Sequence, residues 1–273
     1  MDRLTEAELT HYRERGYVVP SVRLLQKLMK LIERRLGTFL SSNPELSPNY
    51  IGGLLEQDVS WISIARQPQI LDTVEQLIGP DFLIWEVALI TKGPRVNQPT
   101  PWQQNGEFWP IRPLSGCTVW IALDGTTPDR GCLRMVPASH LTQELFVNTS
   151  GTSEELGEYR AIRDQDVADS NGEDVVLTPS QLCIQNVYTV HGWRPNPSDQ
   201  PSRFVAMRFM PTTSHFDCDL AAIHAQGPNV EDLTGQQLHL MRGEDICRRN
   251  NFSVGRQSST VTTHVGRVHS SRC

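Results

Sequence analysis

Lysine is nearly absent from this sequence: Lys27, Lys30 and Lys92 are the only three, and arginine carries the remaining positive charge. Codon usage of the source is a simpler cause of that bias than function, so no role is read from it. The formal charge of −6 excludes the basic surface that binding a phosphate backbone requires, and with it a general nucleic-acid binder. No apolar run approaches the ~20 residues that span a bilayer. Met1 to Thr5 lack the apolar core of a secretion signal, so a cytoplasmic protein with no membrane association is expected. Cys117, Cys132, Cys183, Cys218, Cys247 and Cys273 are scattered, without C-x-x-C spacing; neither a zinc site nor a redox dithiol is indicated, and reduced thiols are expected. No linker or repeat interrupts the 273 residues, which read as one domain with room for a large core.

What is present begins with helices. Thr5 followed three residues later by Glu8 forms a capping-box pattern, predicting a short helix to about Arg15 that Gly16 ends. Tyr17 to Pro20 reads as a short strand. Leu24, Leu25, Leu28, Met29, Ile32 and Leu36 then recur at helical spacing, the apolar face of a longer helix. A third helical segment, Ile70 to Ile78, stops at Gly79-Pro80.

From Asp81 the texture changes to short β-type runs: Phe82 to Ile90, Cys117 to Leu123, Cys132 to Val136, Val175 to Leu177, Gln181 to Val190 and Arg203 to Met210. Helices followed by many strands predict a mainly β fold with flanking helices, a β-sandwich or jelly roll. The expected layout is a helical portion over about residues 1–80 and a barrel over about 81–217. A polar insertion over about 141–174 reads equally as a lid or as a solvated loop, and a C-terminal extension covers about 218–273. Its end, Ser253 to Cys273, is poor in large apolar side chains and is expected to be a mobile or partner-dependent tail.

Three segments together resemble the phytanoyl-CoA dioxygenase family of Fe(II)/2-oxoglutarate oxygenases. They are Pro101-Trp102-Gln103-Gln104-Asn105-Gly106-Glu107-Phe108-Trp109-Pro110, then Val119 to Asp124 with Gly131 to His140, and finally Val190-His191-Gly192 with Arg203. The resemblance implies a double-stranded β-helix, a cupin-like jelly roll. Iron in that family is held by a His-x-Asp pair and a distant His, and an Arg about a dozen residues later grips 2-oxoglutarate. Ligands at i and i+2 on extended backbone project to one side, so both meet one ion. By position His191 corresponds to the distant His and Arg203 to the Arg.

The His-x-Asp pair falls on Gln103-Gln104-Asn105. Gln103 offers a neutral carbonyl oxygen where ferrous iron favours an imidazole nitrogen. Asn105 keeps the shape of a carboxylate and loses its charge. Weak or absent iron binding is expected, with His191 the one strong ligand left. Trp193 stands where the family usually carries a small hydroxyl residue; an inward indole would fill the co-substrate's place and leave Arg203 for another anion or an internal pair.

The implied function is a dioxygenase-fold protein with a degenerate iron site. It would be either a partner subunit of an active relative, in a hetero-oligomer or homodimer, or a metal-independent enzyme on a small molecule. In the second case His191 would serve as acid or base, Arg203 would hold an anion, and Gln103 and Asn105 would orient an oxygen. The alternative is an active Fe(II)/2-oxoglutarate hydroxylase on a lipid-like or secondary-metabolite substrate. A plain polar cluster at Gln103, Asn105 and His191 accounts for these residues equally well. Trp102, Phe108, Trp109 and Trp120 read as core or pocket wall, and His140 as structural. Glu107 is the one carboxylate of its segment available as base or stand-in ligand.

Overall fold

The computed structural model describes residues 3–46, 49–163, 165, 169, 171–226 and 232–252, with the backbone alone for Asn105, Glu158 and Arg160. The expected tail, Ser253 to Cys273, lies outside them. Helices come first: α1 (Glu6–Arg15), the short strand β1 (Tyr17–Val18), α2 (Gln26–Ser42), β2 (Tyr50–Ile51), α3 (Leu54–Gln57), α4 (Trp61–Ala65) and α5 (Pro68–Ile78). Strands follow: β3 (Phe82–Lys92), β4 (Thr100–Gln103), β5 (Ile111–Arg112), β6 (Cys117–Ala122), β7 (Leu133–Met135), β8 (Asn148–Ser153) and β9 (Gly157–Ile162). The chain continues through β10 (Glu173–Val175), β11 (Leu182–Asn186), β12 (His191–Trp193), β13 (Ser202–Pro211), β14 (His215–Phe216), α6 (Cys218–His224) and β15 (His239–Arg242).

The capping box of α1 is formed: Thr5 Oγ1 accepts from the Glu8 amide at 3.2 Å, and the Glu8 carboxylate accepts from the Thr5 amide at 2.7 Å. Gly16 then turns with φ +82°, and a Cβ there would collide with Thr189 Oγ1 and the His140 ring. Only glycine allows this close approach, which docks α1 on the barrel. Two bonds complete it: the Asn186 amide and the Thr189 hydroxyl each donate to Gly16 O at 2.8 Å.

Leu28, Ile32 and Leu36 of α2 are buried as their spacing predicts. Leu25 is 47% exposed, because it precedes the helix in extended backbone and leaves the helical stripe.

The major sheet runs β1-β11-β6-β13-β3-β15, with β2 also on β3, and the minor sheet runs β10-β7-β12-β4. The paired strands are antiparallel, giving the two facing sheets of a jelly roll. On the outer face of the major sheet, Val87, Leu89, Val119, Ile121, Val205 and Met207 pack against the helices. On its inner face, Trp120, Phe204 and Ala206 meet Leu133, Met135 and Trp193 of the minor sheet. Strand alternation sends successive residues of β13 to these two different layers.

Several expectations shift. The run Gln181 to Val190 ends as a strand at Asn186, and a turn carries the chain to β12 in the other sheet. Within the polar stretch 141–174 lies the hairpin β8–β9, which contributes cavity wall. In the region expected as a C-terminal extension, β15 pairs with β3 and so extends the major sheet. Cys117, Cys132, Cys183 and Cys247 are free thiols, whereas Cys218 is disulfide-bonded, against the expectation of reduced thiols throughout. Burial raises the Cys117 thiol to about 12, so it is an inert core group. No helix among the described residues is long and apolar enough to cross a membrane.

Candidate functional site

Between the two sheets lies a cavity of about 350 Å³. The major sheet lines it with Ile90, Lys92, Trp120 and Arg208; the minor sheet supplies Thr100, Gln103 and Trp193. Phe108 and Trp109 close one side, and Leu156 and Tyr159 of the β8–β9 region another.

The sequence expected Gln103, Asn105, His191, Arg203 and Trp193 to meet here. His191 and Gln103 do stand opposite one another, paired across β12 and β4. The Asn105 side chain lies outside the described residues.

His191 is 1% exposed, and burial lowers its pKa to about 4, opposed by the nearby Thr189 carbonyl. It is therefore a neutral ring at physiological pH. Its surroundings orient it. Trp120 Nε1, which can only donate, gives its hydrogen to Gln185 Oε1 at 2.8 Å. That fixes the Gln185 amide, whose nitrogen donates to Thr189 O at 3.0 Å and faces His191 Nδ1 at 2.8 Å. Nδ1 also stands 3.1 Å from Thr189 O. The shorter contact makes Nδ1 an acceptor, which leaves the proton of the neutral ring on Nε2.

Trp193 points inward. It is 5% exposed, with its ring centroid 4.9 Å from Phe204 and 5.6 Å from Trp120, both in edge-on packing.

Arg203 does not join the site, and its expected role as an anion grip there is corrected. It lies on the outer, helix-facing side of β13. Its Nε and Nη2 donate to the two oxygens of Asp124 at 2.8 and 2.9 Å, and its Nη groups reach Glu33 of α2 at 3.2 and 3.0 Å. The hydrogen bonds to Asp124 hold its pKa above the ordinary arginine value. The inward position beside it is Ser202, fully buried, with no hydrogen-bond partner for its hydroxyl among the described residues. Residue type drew attention to Arg203; strand phase decides which neighbour faces inward.

Two inward groups escaped the sequence reading. Arg208 pairs with Glu86 across β13 and β3, with Tyr50 donating to Glu86 Oε1 at 2.8 Å. Its guanidinium stands 5.2 Å from the Trp109 ring centroid. Lys92 lies two residues beyond the predicted end of its strand, 5% exposed, and burial lowers its pKa to about 8. A charge inside each apolar run, Glu86 and Arg208, was the visible signal for the first.

The remaining residues have structural partners. Glu107 accepts from Asn148 at 2.5 Å, Gln104 donates to Tyr188 O at 2.6 Å, and His140 Nε2 lies 3.0 Å from Arg13 O. Trp102 Nε1 donates to Asp169 at 2.9 Å, under the guanidinium of Arg134. Among the described residues, no three His, Cys, Asp or Glu side chains cluster as a metal site.

Two facing sheets, helices on one outer face and a cavity between the sheets define a jelly-roll protein of the cupin-like class. The chain belongs to the phytanoyl-CoA dioxygenase (PhyH) family, whose profile matches residues 4–205. Bovine peroxisomal phytanoyl-CoA dioxygenase (Bos taurus) is 21% identical over 194 residues, covering 68% of this chain and 55% of the relative. A probable alpha-ketoglutarate-dependent hypophosphite dioxygenase of Stutzerimonas stutzeri is 24% identical over 152 residues, 54% of this chain and 51% of that protein. The chain thus spans about half the length of these curated relatives. Among solved structures, apo ThoJ, a non-heme monooxygenase, superposes with TM-score 0.67 at 21% identity, over 87% of this chain and 84% of that one. The epimerase SnoN, in complex with Fe3+, alpha ketoglutarate and nogalamycin RO, gives 0.65 at 21% identity, over 87% and 98%. At this identity the likeness is one of fold.

Proposed function

We propose that this chain uses the family scaffold to bind a small molecule between its sheets without ferrous iron or 2-oxoglutarate. The observation that carries this is the Gln185 amide facing His191 Nδ1 at 2.8 Å. A metal-bound histidine donates from its second nitrogen and coordinates through the other. Here the second nitrogen accepts, so Nε2 keeps its proton and has no lone pair for a metal. Gln103, the cross-strand neighbour, adds a neutral amide where a strong donor is needed. Ser202, and not Arg203, faces inward on β13, and the Trp193 ring is packed against Phe204 and Trp120 at that end. The described residues therefore do not fit a ferrous centre. With its pKa lowered to about 4, His191 is a fixed hydrogen-bonding group at neutral pH and not the acid or base that the sequence suggested.

The second reading is an active Fe(II)/2-oxoglutarate oxygenase. It is favoured by family membership and by the SnoN complex with iron and alpha ketoglutarate. Anaerobic ferrous loading followed by elemental analysis and a succinate-release assay separates the two. Substoichiometric iron with no succinate supports the proposal, and one iron per chain with decarboxylation overturns it.

A further inference from the structure

We infer that the cavity takes an apolar, preferably aromatic, monocarboxylate, and that Lys92 grips its carboxylate. This rests on the proposal that the cavity serves a small molecule, and it adds the chemical class of that molecule.

Two cations line the cavity, and they differ in their partners. Arg208 is neutralised within the fold by Glu86. Lys92 instead donates to Gln98 O at 2.7 Å and Thr100 Oγ1 at 3.2 Å, both neutral. An ammonium has three donors, so one remains. A buried cation ordinarily acquires a counter-charge, because neutral partners compensate its lost hydration incompletely. The carboxylate whose charge reaches Lys92, Glu155, stands at the exposed rim of the cavity and is engaged elsewhere, accepting from the Gln98 backbone amide at 2.7 Å. Among the described residues none forms an ion pair with Lys92.

The stem of Lys92 is held in place. Gly131 turns with φ +62°, and a Cβ there would stand 2.7 Å from Lys92 Cγ. Glycine therefore lets the backbone pack against the lysine stem and leaves it little room to retract. Beside the ammonium stands the Thr100 hydroxyl. Thr100 Oγ1 already accepts from Lys92, so its own hydrogen is available to a ligand. Ser202 is the cross-strand neighbour of Lys92 and its hydroxyl has no partner among the described residues. One ammonium N–H and the Thr100 hydroxyl suit the two oxygens of a single carboxylate. The walls beyond are rings, Trp120, Trp193, Phe108 and Trp109, which favour a flat apolar body.

The test is calorimetric titration of the full chain, in EDTA, with 3-phenylpropionate, its neutral amide 3-phenylpropanamide, and 2-oxoglutarate. The acid is expected to bind one per chain, at least tenfold tighter than the amide and tighter than 2-oxoglutarate. Lys92→Met should weaken the acid at least tenfold and leave the amide within twofold, and Lys92→Arg should restore part of the loss. Equal affinity for acid and amide, no binding of the acid at millimolar concentration, or an unchanged acid affinity in Lys92→Met each overturns the inference. The acid-against-amide comparison needs only the natural chain, so a variant that fails to fold leaves the test intact. Stoichiometric ferrous binding, measured separately, would overturn the metal-free proposal and leave a Lys92-dependent preference for the acid standing.

Discussion

Ser202 and Arg203 are adjacent in the chain and face opposite sides of the major sheet. Ser202 lies inside with Lys92, whereas Arg203 lies outside, forked on Asp124 and reaching Glu33 of α2. Arg203 is thus a tie between barrel and helix layer. Arg203→Met should cost about 1–3 kcal/mol of stability, between the values for exposed and for buried charge pairs. Denaturant titration checks this, and affinity for 3-phenylpropionate should not change.

Trp193 fills the cavity end against Phe204 and Trp120. Trp193→Ser should lower stability by about 3 kcal/mol, as large-to-small changes in packed sites do, whereas Trp193→Phe should cost less than about 1.5 kcal/mol. Thermal unfolding of both variants tests the packing. Trp193→Ser alone should not create 2-oxoglutarate binding, because Arg203 stays tied to Asp124 and Glu33 on the outer side of β13.

The Trp120–Gln185–His191 chain fixes a tautomer. Nitrogen-15 NMR of the natural chain at neutral pH should show His191 neutral with its proton on Nε2. Gln185→Leu leaves the Trp120 N–H and the Thr189 carbonyl without their side-chain partner, and should cost about 2–4 kcal/mol. A proton on Nδ1 in the natural chain would contradict the assigned orientation.

Lys92 links the cavity to stability through pH. Its folded pKa, about 8, lies below the ordinary 10.5, so the unfolded chain binds its proton more tightly. The cost of burying the charge is fully present below about pH 8 and disappears as pH rises to about 10.5, a difference of at most about 3 kcal/mol. Lys92→Met should therefore be the more stable protein at pH 7, with its advantage over the natural chain shrinking between pH 8 and 10.5. Denaturant midpoints measured for both across that range check the sign.

Much of the architecture was legible because its signals are local and strong. The Thr5–Glu8 box, the α2 stripe and the apolar runs of β3, β6 and β13 each carry their periodicity over several residues. The β8–β9 hairpin was not legible, since Asn148–Ser153 is a polar run without apolar alternation and only its pairing makes it a strand. The site residues divide along the same line. His191, Gln103 and Trp193 were singled out by motif, and the structure pairs the first two across β12 and β4. Arg203 was misplaced by one residue of strand phase, which residue type cannot supply. Lys92 was missed because the apolar run of β3 stops at Ile90 while its backbone continues two residues, returning to the same face at Lys92.

The central claim, that the cavity of this chain does not hold ferrous iron, is tested most directly by titrating the metal. Anaerobic ferrous titration of the natural chain should give no saturable binding, and the Gln103→His/Asn105→Asp double variant should bind only weakly, because Gln185 still holds the His191 proton on Nε2. Saturable binding of one ferrous ion per natural chain would contradict it.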